Sequence, residues 1–387
     1  MKVYRYGGHC VHMPRPLQKR AFAPSRAVDT TSVTQEATSY PETYAEWRRL
    51  PLRSLPRRAA RNAAIAALYA SFRLSGKLTA GLAVPRVQFF CLHHLFPDEE
   101  GPFRSKLSTL SEHFDFVPWS VGVRMVLEGR RPERPVACFS SDDGFASNLA
   151  LARVLEEFGT TGCFFLNPAS LDQTDDQWVS RFCRTRLQAQ PTRFLSSADV
   201  DGLLARGHEV GNHTMTHVVC SETPADRLWD EVQAARHQLE ARFGPVVHFA
   251  WPYGQYDHFS EVARSAVFET GHISAASVVR GAHLVAASEG GSPFTGDLCL
   301  RRDQMWAKDP VEHTLYFAAH NALHPQVGAN EFPGLIRDQG LRRTGLADWD
   351  AIPLPDARNQ YAPLPPMAAR NVRRRIARSS QIDQFRT

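Results

Sequence analysis

The sequence predicts an α/β fold, either a parallel sheet or a barrel, because short apolar runs alternate with helix-like segments along the chain. The run "PVACFSS" has strand character, and "ASNLALARVLEEF" after it carries apolar residues at helical spacing. The apolar run "GCFFLNP" comes next. A strand, a helix and a strand within roughly thirty residues form a βαβ unit, which implies parallel pairing. In such folds the functional residues collect at the carboxyl ends of the strands.

The predicted elements follow one another in order. "RVQFFCLHH" and "PVACFSS" are the first two strands, and residues 146–158 form a helix that Gly159 ends. "GCFFLNP" is a strand ended by Pro168, and "SSADVDGLLARG" is a capped helix before the strand "HEVGNH". "VVHFAWPYG" and "HISAASVV" are strands on either side of the helix "DHFSEVARSAVFETG", and "LCLRR" is a further strand-like run.

The longest predicted helix lies in "TPADRLWDEVQAARHQLEARFG". Thr223 is the expected N-cap, Pro224 occupies the first turn and Gly244 follows the end. Apolar side chains recur along it at helical spacing and predict one buried face.

Composition divides the chain into four parts. We expect a disordered leader over residues 1–55, an amphipathic helical segment over 56–80, the barrel or sheet domain over 81–330 and a Pro-rich, basic tail over 331–387. The chain as a whole is 43% hydrophobic and 22% charged, which is ordinary for a globular protein that buries a core.

Charge and cysteine content exclude several classes. The net charge of +5 comes largely from arginine-rich ends. The sequence shows no stripe of basic and aromatic residues, which argues against nucleic-acid binding. Seven cysteines, without a CxxC pair, predict buried thiols in a reducing compartment. No apolar signal region is visible, so a cytoplasmic location is expected, with peripheral membrane attachment or export as second choice. Membrane contact has no other support, and the oligomeric state is left open.

Three polar clusters stand where strands are predicted to end. Asp142 and Asp143 follow "VACFSS", His213 and His217 lie in "HTMTH" after "HEVG", and "WPYG" follows "VVHFA". Each cluster alone has an ordinary explanation as a turn, a loop or a pair of unrelated histidines. Their common position at strand ends, in this order, predicts one site.

Two imidazoles and one carboxylate are a common catalytic zinc set. Histidines four residues apart share one face of a helical turn, so both could reach one ion. An ion would also account for adjacent aspartates, because a dication offsets their repulsion and keeps both ionised. One aspartate could then bind the metal while the other takes a proton from water.

The motifs "FSSDDG", "HTMTH" and "FAWPYG" resemble the first three motifs of the polysaccharide deacetylases (the NodB-homology domain, carbohydrate esterase family 4), over roughly residues 85–305. The resemblance implies a distorted (β/α) barrel and one divalent metal ion, with Zn²⁺ the first candidate. It also implies hydrolysis of N-acetyl or O-acetyl groups on a sugar or polysaccharide, with acetate as product and an acetylated carbohydrate as partner.

The resemblance assigns a role to each matching position. Asp142 is the expected general base, and the main-chain N–H of Tyr253 is expected to hold the oxyanion. The expected metal ligands are Asp143, His213 and His217, and the expected substrate-binding residues are Trp251, Pro252 and Arg302. The chain departs from the family where Ala250 replaces an arginine that orients the base in many members. The late Leu-x-x-His motif has no convincing counterpart, since "LYFAAH", ending at His320, reads as helix.

The missing acid has a candidate upstream. A circularly permuted branch of the family carries the acid histidine in an N-terminal strand, and His93 matches that place, with Leu92 where tyrosine is usual. His94 competes with it, and alternation along a strand turns the two to opposite faces. Arg302 and Asp303 form a further candidate group, with a solvated charge cluster as its alternative.

Two other functions stay open at this stage. The first is an inactive family member that acts as a carbohydrate-binding module. The second is a metal-dependent hydrolase of amides or phosphoesters unrelated to sugars. The absence of a P-loop or a GxGxxG motif argues against nucleotide chemistry. The sugar or polymer, acetyl against formyl, and N- against O-deacylation are not determined by the sequence.

Overall fold

A computed structural model describes residues 40–47, 55–285, 293–325, 328 and 330–335. The strands are β1 (Val87–Leu92), β2 (Asp115–Phe116), β3 (Val136–Ser141), β4 (Gly162–Leu166), β5 (Glu209–Asn212), β6 (His248–Ala250), β7 (Ser274–Ala276), β8 (Cys299–Leu300) and β9 (Arg302–Gln304). The helices are α1 (Tyr44–Trp47), α2 (Leu55–Leu74), α3 (Lys77–Ala83), α4 (Glu100–Ser111), α5 (Trp119–Leu127), α6 (Asn148–Glu157), α7 (Asp176–Thr185), α8 (Ser197–Ala205), α9 (Ala225–Phe243), α10 (Glu261–Glu269) and α11 (Val311–Leu323). Single 3₁₀ turns cover Pro97–Glu99, Pro168–Ser170 and Tyr256–His258.

The strands pair in parallel in the order β8-β7-β6-β5-β4-β3-β1-β9, and β2 pairs with the first residues of β3. Only Arg301 separates β8 from β9, so the run 299–304 pairs with β7 through its first half and with β1 through its second. The ladder therefore returns to itself and closes a barrel. The β5–β6 contact is the thinnest, with Asn212 opposite Phe249 as the pair in register. The predicted distorted (β/α) barrel is confirmed.

Alternation along β1 separates the inside of the barrel from the outside. Phe89 packs with Trp119 of α5 inside the barrel, with ring centroids 4.7 Å apart. Phe90, one residue later, packs instead in the layer between the strands and the outer helices α4, α6 and α8. The same alternation continues past the strand, so Cys91 and His93 share the inward parity of Phe89.

Helix α5 closes the end of the barrel where the strands begin. Its Trp119 is fully buried against Phe89 and Phe165, and its Ser120 N–H donates to Glu209, the first residue of β5. The opposite end, where the strands finish, is therefore the end that polar residues can line.

The prediction for the longest helix needs one correction, at its N-cap. α9 begins at Ala225 with Pro224 as N-cap, so the N-cap prediction for Thr223 is wrong. The hydroxyl of Thr223 donates instead to the carbonyl of Val219 at 2.8 Å, which holds the loop before the helix. Gly244 ends α9 with φ 83°, as the sequence predicts.

The other predictions concern the cysteines, the amphipathic segment and the two ends of the chain. Six cysteines are buried free thiols, and Cys10 lies outside the described residues. Within the predicted amphipathic segment, α2 and α3 both pack on α11. Among the described helices, none is both long and apolar enough to cross a bilayer. The leader and the tail lie outside the described residues, apart from residues 40–47, 55 and a few positions before 336.

Candidate metal centre and active site

The first strand end turns sharply so that two adjacent aspartates take different directions. Asp142 and Asp143 follow β3, and Asp143 adopts φ 73°, a left-handed conformation that few residues other than glycine occupy. Gly144 continues the turn with φ 70°. Both carboxylates are buried. The left-handed residue breaks the strand alternation, so each carboxylate finds its own set of partners.

The histidine motif is a loop, so the predicted helical turn is wrong. Thr214 and His217 are left-handed, with φ 65° and 56°, which a helix does not allow. Buried polar side chains hold this shape. The Asn212 side chain accepts the Thr214 N–H at 2.9 Å, and Glu231 of α9 accepts the N–H and hydroxyl of Thr216 at 2.8 and 2.6 Å. The loop gains its geometry from these bonds and not from i,i+4 spacing.

The loop brings both histidines to Asp143. The Nε2 atoms of His213 and His217 lie 3.4 and 3.2 Å from Asp143 Oδ1, and ligand atoms of all three residues lie within 4.8 Å of one another. The two rings have centroids 5.1 Å apart. The structure thus joins the three residues that the sequence predicts as ligands.

Hydrogen bonds on the far side of each ring fix which nitrogen faces Asp143. His213 Nδ1 donates to the carbonyl of Ala250 at 2.8 Å, and His217 Nδ1 donates to that of Arg186 at 2.9 Å. With the proton on Nδ1, each Nε2 presents a lone pair. Asp143 Oδ1 is buried and accepts no well-formed hydrogen bond despite the short distances. Three lone pairs facing one space fit a divalent ion with nitrogen and oxygen ligands.

The charges in this cluster are coupled. Burial opposes ionisation of Asp143, but His213 and His217 lower its pKa well below the usual range. Burial likewise opposes protonation of His213, but Asp143 and Asp142 raise its pKa. The pKa of His217 is lowered, because burial outweighs its carboxylate contact. The carboxylate is therefore held in its charged, metal-binding form.

Asp142 is clamped by Arg302 of β9. The guanidinium donates two parallel hydrogen bonds, Nη1 to Oδ1 at 2.7 Å and Nη2 to Oδ2 at 2.8 Å. Arg302 also bonds the carbonyl of Ser277 at 2.7 Å, and its side chain is fully buried. Burial opposes ionisation of Asp142, but Arg302 and His213 lower its pKa. This placement favours a positioning role for Arg302 over the substrate contact predicted from the sequence.

The arginine that bonds Asp142 thus comes from β9 and not from the position of Ala250 at the end of β6. Its neighbour Asp303 faces elsewhere, since its side chain accepts the Gly281 N–H at 3.1 Å. Burial raises the pKa of Asp303 to about 6.

The two upstream histidines separate as strand alternation predicts. A ligand atom of His93 lies within 4.8 Å of ligand atoms of Cys91 and Asp142. His94 packs in an aromatic layer instead, with its ring 4.0 Å from Phe145 and 5.2 Å from Phe96. Burial lowers the pKa of His94 to about 3. His93 therefore faces the site, and its role as the acid stays a prediction.

The third motif places Tyr253 beside the metal ligands and buries its neighbours. Tyr253 is left-handed with φ 62°, and its ring centroid lies 4.9 Å from that of His217. Its hydroxyl donates at 2.5 Å to Arg186 O, the carbonyl that also receives His217 Nδ1–H. Trp251 and Pro252 are buried, and the Trp251 ring stacks on Phe259 at 4.5 Å. This leaves no indole surface for a substrate, contrary to the prediction for Trp251.

Several residues that support the site were not predicted from the sequence. Glu231 and Arg186 gave no signal, because one lies in an ordinary helix pattern and the other acts through its carbonyl. Asn212 was visible before His213 in "GNH", where an amide side chain at a strand end is a known turn former. Asn167 donates to the carbonyls of His213 and Thr214, and a similar argument could have found it after β4.

The family model described as polysaccharide deacetylase matches residues 129–271. Among curated proteins, none matches the chain.

Solved structures similar to this chain include IcaB from Ammonifex degensii, with 15% identity and a TM-score of 0.48 over 61% of this chain and 98% of that one. A de-N-acetylase from Aggregatibacter actinomycetemcomitans has 16% identity and a TM-score of 0.48 over 60% and 99%. The deacetylase PplD of Streptococcus pyogenes, in complex with acetate, has 14% identity and a TM-score of 0.46 over 61% and 98%.

The matched segment begins before β3 and ends after α10. It therefore contains both aspartates, both histidines and the left-handed tyrosine that meet at this end of the barrel. Over that segment the chain is similar to the polysaccharide deacetylase family.

Proposed function

We propose that this protein hydrolyses N-acetyl or O-acetyl groups on a sugar or polysaccharide and releases acetate, with one divalent ion held by Asp143, His213 and His217. The observation that carries the proposal is the convergence of three metal-ligating lone pairs beside a second carboxylate that Arg302 keeps ionised. The donor set of two nitrogens and one oxygen makes Zn²⁺ the first candidate. When bound, such an ion polarises an acyl carbonyl and lowers the pKa of water.

Asp142 is the proposed general base. Because Arg302 bonds both of its oxygens, the carboxylate is ionised and its plane is held in place. A carboxylate held in this way accepts a proton from the attacking water without first having to reorient.

Tyr253 and His93 are proposed to complete the reaction. Among the described residues no backbone carbonyl accepts the Tyr253 N–H, so this donor is free to bind the developing oxyanion. The left-handed Tyr253 backbone is held by its hydroxyl, which is bonded to Arg186. His93 Nδ1 is buried without a hydrogen-bond partner in the described part of the chain. We assign His93 the transfer of a proton to the leaving nitrogen, or oxygen if the substrate is an ester.

The test is acetate release from N-acetylglucosamine oligomers and from an aryl acetate. Asp142→Asn should lower turnover about 10²–10⁴-fold, the usual contribution of a general base. Asp201→Asn is the matched control, because Asp201 is an exposed carboxylate paired with Arg242 on the surface. Wild-type turnover in Asp142→Asn would contradict the proposed base. A metal-loaded parent that binds these sugars and releases no acetate would instead indicate the carbohydrate-binding alternative.

A further inference from the structure

A cysteine lies against the proposed catalytic base. Cys91 is the inward-facing residue near the end of β1, and its Sγ lies 3.7 Å from Asp142 Oδ2. Ligand atoms of Cys91, His93 and Asp142 all lie within 4.8 Å of one another. The second group of potential ligands that the described residues form is thus adjacent to the first, through the neighbouring residues Asp142 and Asp143. Nothing in the reaction proposed above uses the thiol.

The geometry of this trio suits a thiophilic ion. A sulfur and an oxygen on one tetrahedral ion, at bond lengths of about 2.3 and 2.1 Å, stand about 3.6 Å apart, close to the observed 3.7 Å. One imidazole nitrogen of His93 lies within 4.8 Å of both atoms, and His93 Nδ1 is buried with no hydrogen-bond partner among the described residues. Thiolate, imidazole and carboxylate together are a donor set for Zn²⁺ and for softer ions of the same charge.

We propose that Cys91, His93 and Asp142 form a second, inhibitory site for a thiophilic divalent ion, namely Zn²⁺ in excess or Cd²⁺. The inhibitory effect rests on the proposed function, in which Asp142 is the base and His93 the acid. An ion shared by these two residues withdraws both lone pairs from proton transfer. The Asp143, His213 and His217 centre can stay filled while turnover stops.

Arg302 sets the order in which the two sites fill. Its Nη2 already bonds Asp142 Oδ2 at 2.8 Å, so an ion at the second site shares that oxygen with a cation. The first centre has no such competitor on Asp143, which makes it the tighter site. Binding at the second site also requires Cys91 to release its thiol proton to solvent, since the thiolate is the metal ligand.

Cadmium titration of the full-length, metal-loaded protein tests the site directly. Because the first centre contains no sulfur, ultraviolet sulfur-to-cadmium charge-transfer absorption reports thiolate binding alone. We expect one equivalent of this absorption in the parent and its loss in Cys91→Ala and in the closer isostere Cys91→Ser. Cys163→Ala is the matched control, because Cys163 is a buried thiol of the neighbouring inner wall and should leave the absorption intact. Absorption of equal strength in the parent and in both Cys91 variants would overturn the proposal.

Acetate release measured across the same titration gives the second readout, normalised to the cadmium-free rate of each variant. Cys91→Ala should raise the Cd²⁺ concentration for half-inhibition at least about tenfold, because even outer-shell changes lower metal affinity about 10–100-fold. Mg²⁺, which avoids sulfur ligands, should not inhibit in this way. Unchanged half-inhibition in Cys91→Ala would overturn the inhibitory role. If no form of the protein releases acetate, the proposed function fails, and the charge-transfer absorption still decides the site.

Discussion

The two ends of the barrel carry similar residues arranged to opposite effect. Where the strands begin, Ser120 of α5 meets Glu209 and His248, with its N–H 2.9 Å from Glu209 Oε1 and its Oγ 2.9 Å from His248 Nε2. His248 Nδ1 lies 2.9 Å from the hydroxyl of Ser274. Serine, histidine and glutamate are the residue types of a hydrolytic triad. Here, however, their polar atoms are hydrogen-bonded to one another and to Ser274.

Where the strands end, three polar side chains, those of Asp143, His213 and His217, face one another. Asp143 Oδ1 lies 3.4 and 3.2 Å from the two Nε2 atoms and accepts no well-formed hydrogen bond. Four residues there, namely Asp143, Thr214, His217 and Tyr253, are left-handed, a conformation that other interactions must enforce. The comparison teaches that composition does not mark a site. Polar groups without well-formed hydrogen bonds, held in place by left-handed backbone, mark the end where we expect a ligand to bind.

The largest expected effect comes from removing the ligand that links both histidines. Asp143→Ala should lower turnover about 10³–10⁴-fold, because the several kcal/mol that a bound metal supplies is lost. Bound metal, measured by elemental analysis of the purified protein, should fall from one equivalent to none. The free energy of unfolding of the metal-free protein should also fall, because the variant loses a carboxylate whose pKa His213 and His217 lower in the folded state. Full metal content in Asp143→Ala would show that Asp143 is not a metal ligand, and the contrast drawn between the two ends of the barrel would fail.

Arg302→Met should give the next largest effect, now on stability. Removing one partner of a buried ion pair costs about 3–5 kcal/mol, because Asp142 is left charged and buried. Chemical denaturation of the metal-free protein measures this loss. The double variant Arg302→Met, Asp142→Asn should recover part of it, since the isolated charge is gone. If the double variant is no more stable than Arg302→Met, the pair is not the source of the loss.

At the opposite end, His248→Phe should affect stability alone. A planar ring is kept while the contacts to Ser120 and Ser274 are lost, which costs about 1–3 kcal/mol for buried groups left unpaired. Metal content and turnover per folded molecule should match the parent. A loss of metal in this variant would show that the two ends of the barrel are coupled.

The smallest expected effect is a difference in pH dependence. Burial lowers the pKa of His248 to about 3, so the unfolded chain binds its proton more readily. The stability that neutral His248 contributes is present above about pH 6.5 and falls with pH by up to about 1.4 kcal/mol per unit. Glu209 acts oppositely, because burial raises its pKa, so the comparison belongs between about pH 5 and 6.5. The parent should lose stability more steeply there than His248→Phe, and equal slopes would contradict this.

The sequence was a sound guide wherever a period or a strand end carried the signal. Alternation in "RVQFFCLHH" predicted that His93 and His94 face opposite ways, and the ends of β3 and β5 placed the aspartates and histidines at one rim. It failed where long-range contacts decide local shape. The shape of the loop from His213 to His217 depends on hydrogen bonds to two side chains. Glu231 lies in helix α9, and Asn212 is the last residue of β5. Spacing alone could only suggest a helical turn.

The role of Arg302 was out of reach for a different reason. Its partner Asp142 is 160 positions away in the chain, and only closure of the barrel makes them neighbours. Trp251 shows the converse, because a motif position suggested a surface that burial removes.

The short break at Arg301 between β8 and β9 links closure of the barrel to the position of Arg302. The Arg301 N–H donates to His283 Nε2 at 2.9 Å at the seam that closes the barrel, and the next residue is Arg302, which bonds Asp142. Parting of that seam would withdraw the guanidinium from Asp142 at the same moment. A molecule opened at that seam would therefore lose the contact between Arg302 and Asp142 before the rest of the barrel unfolds.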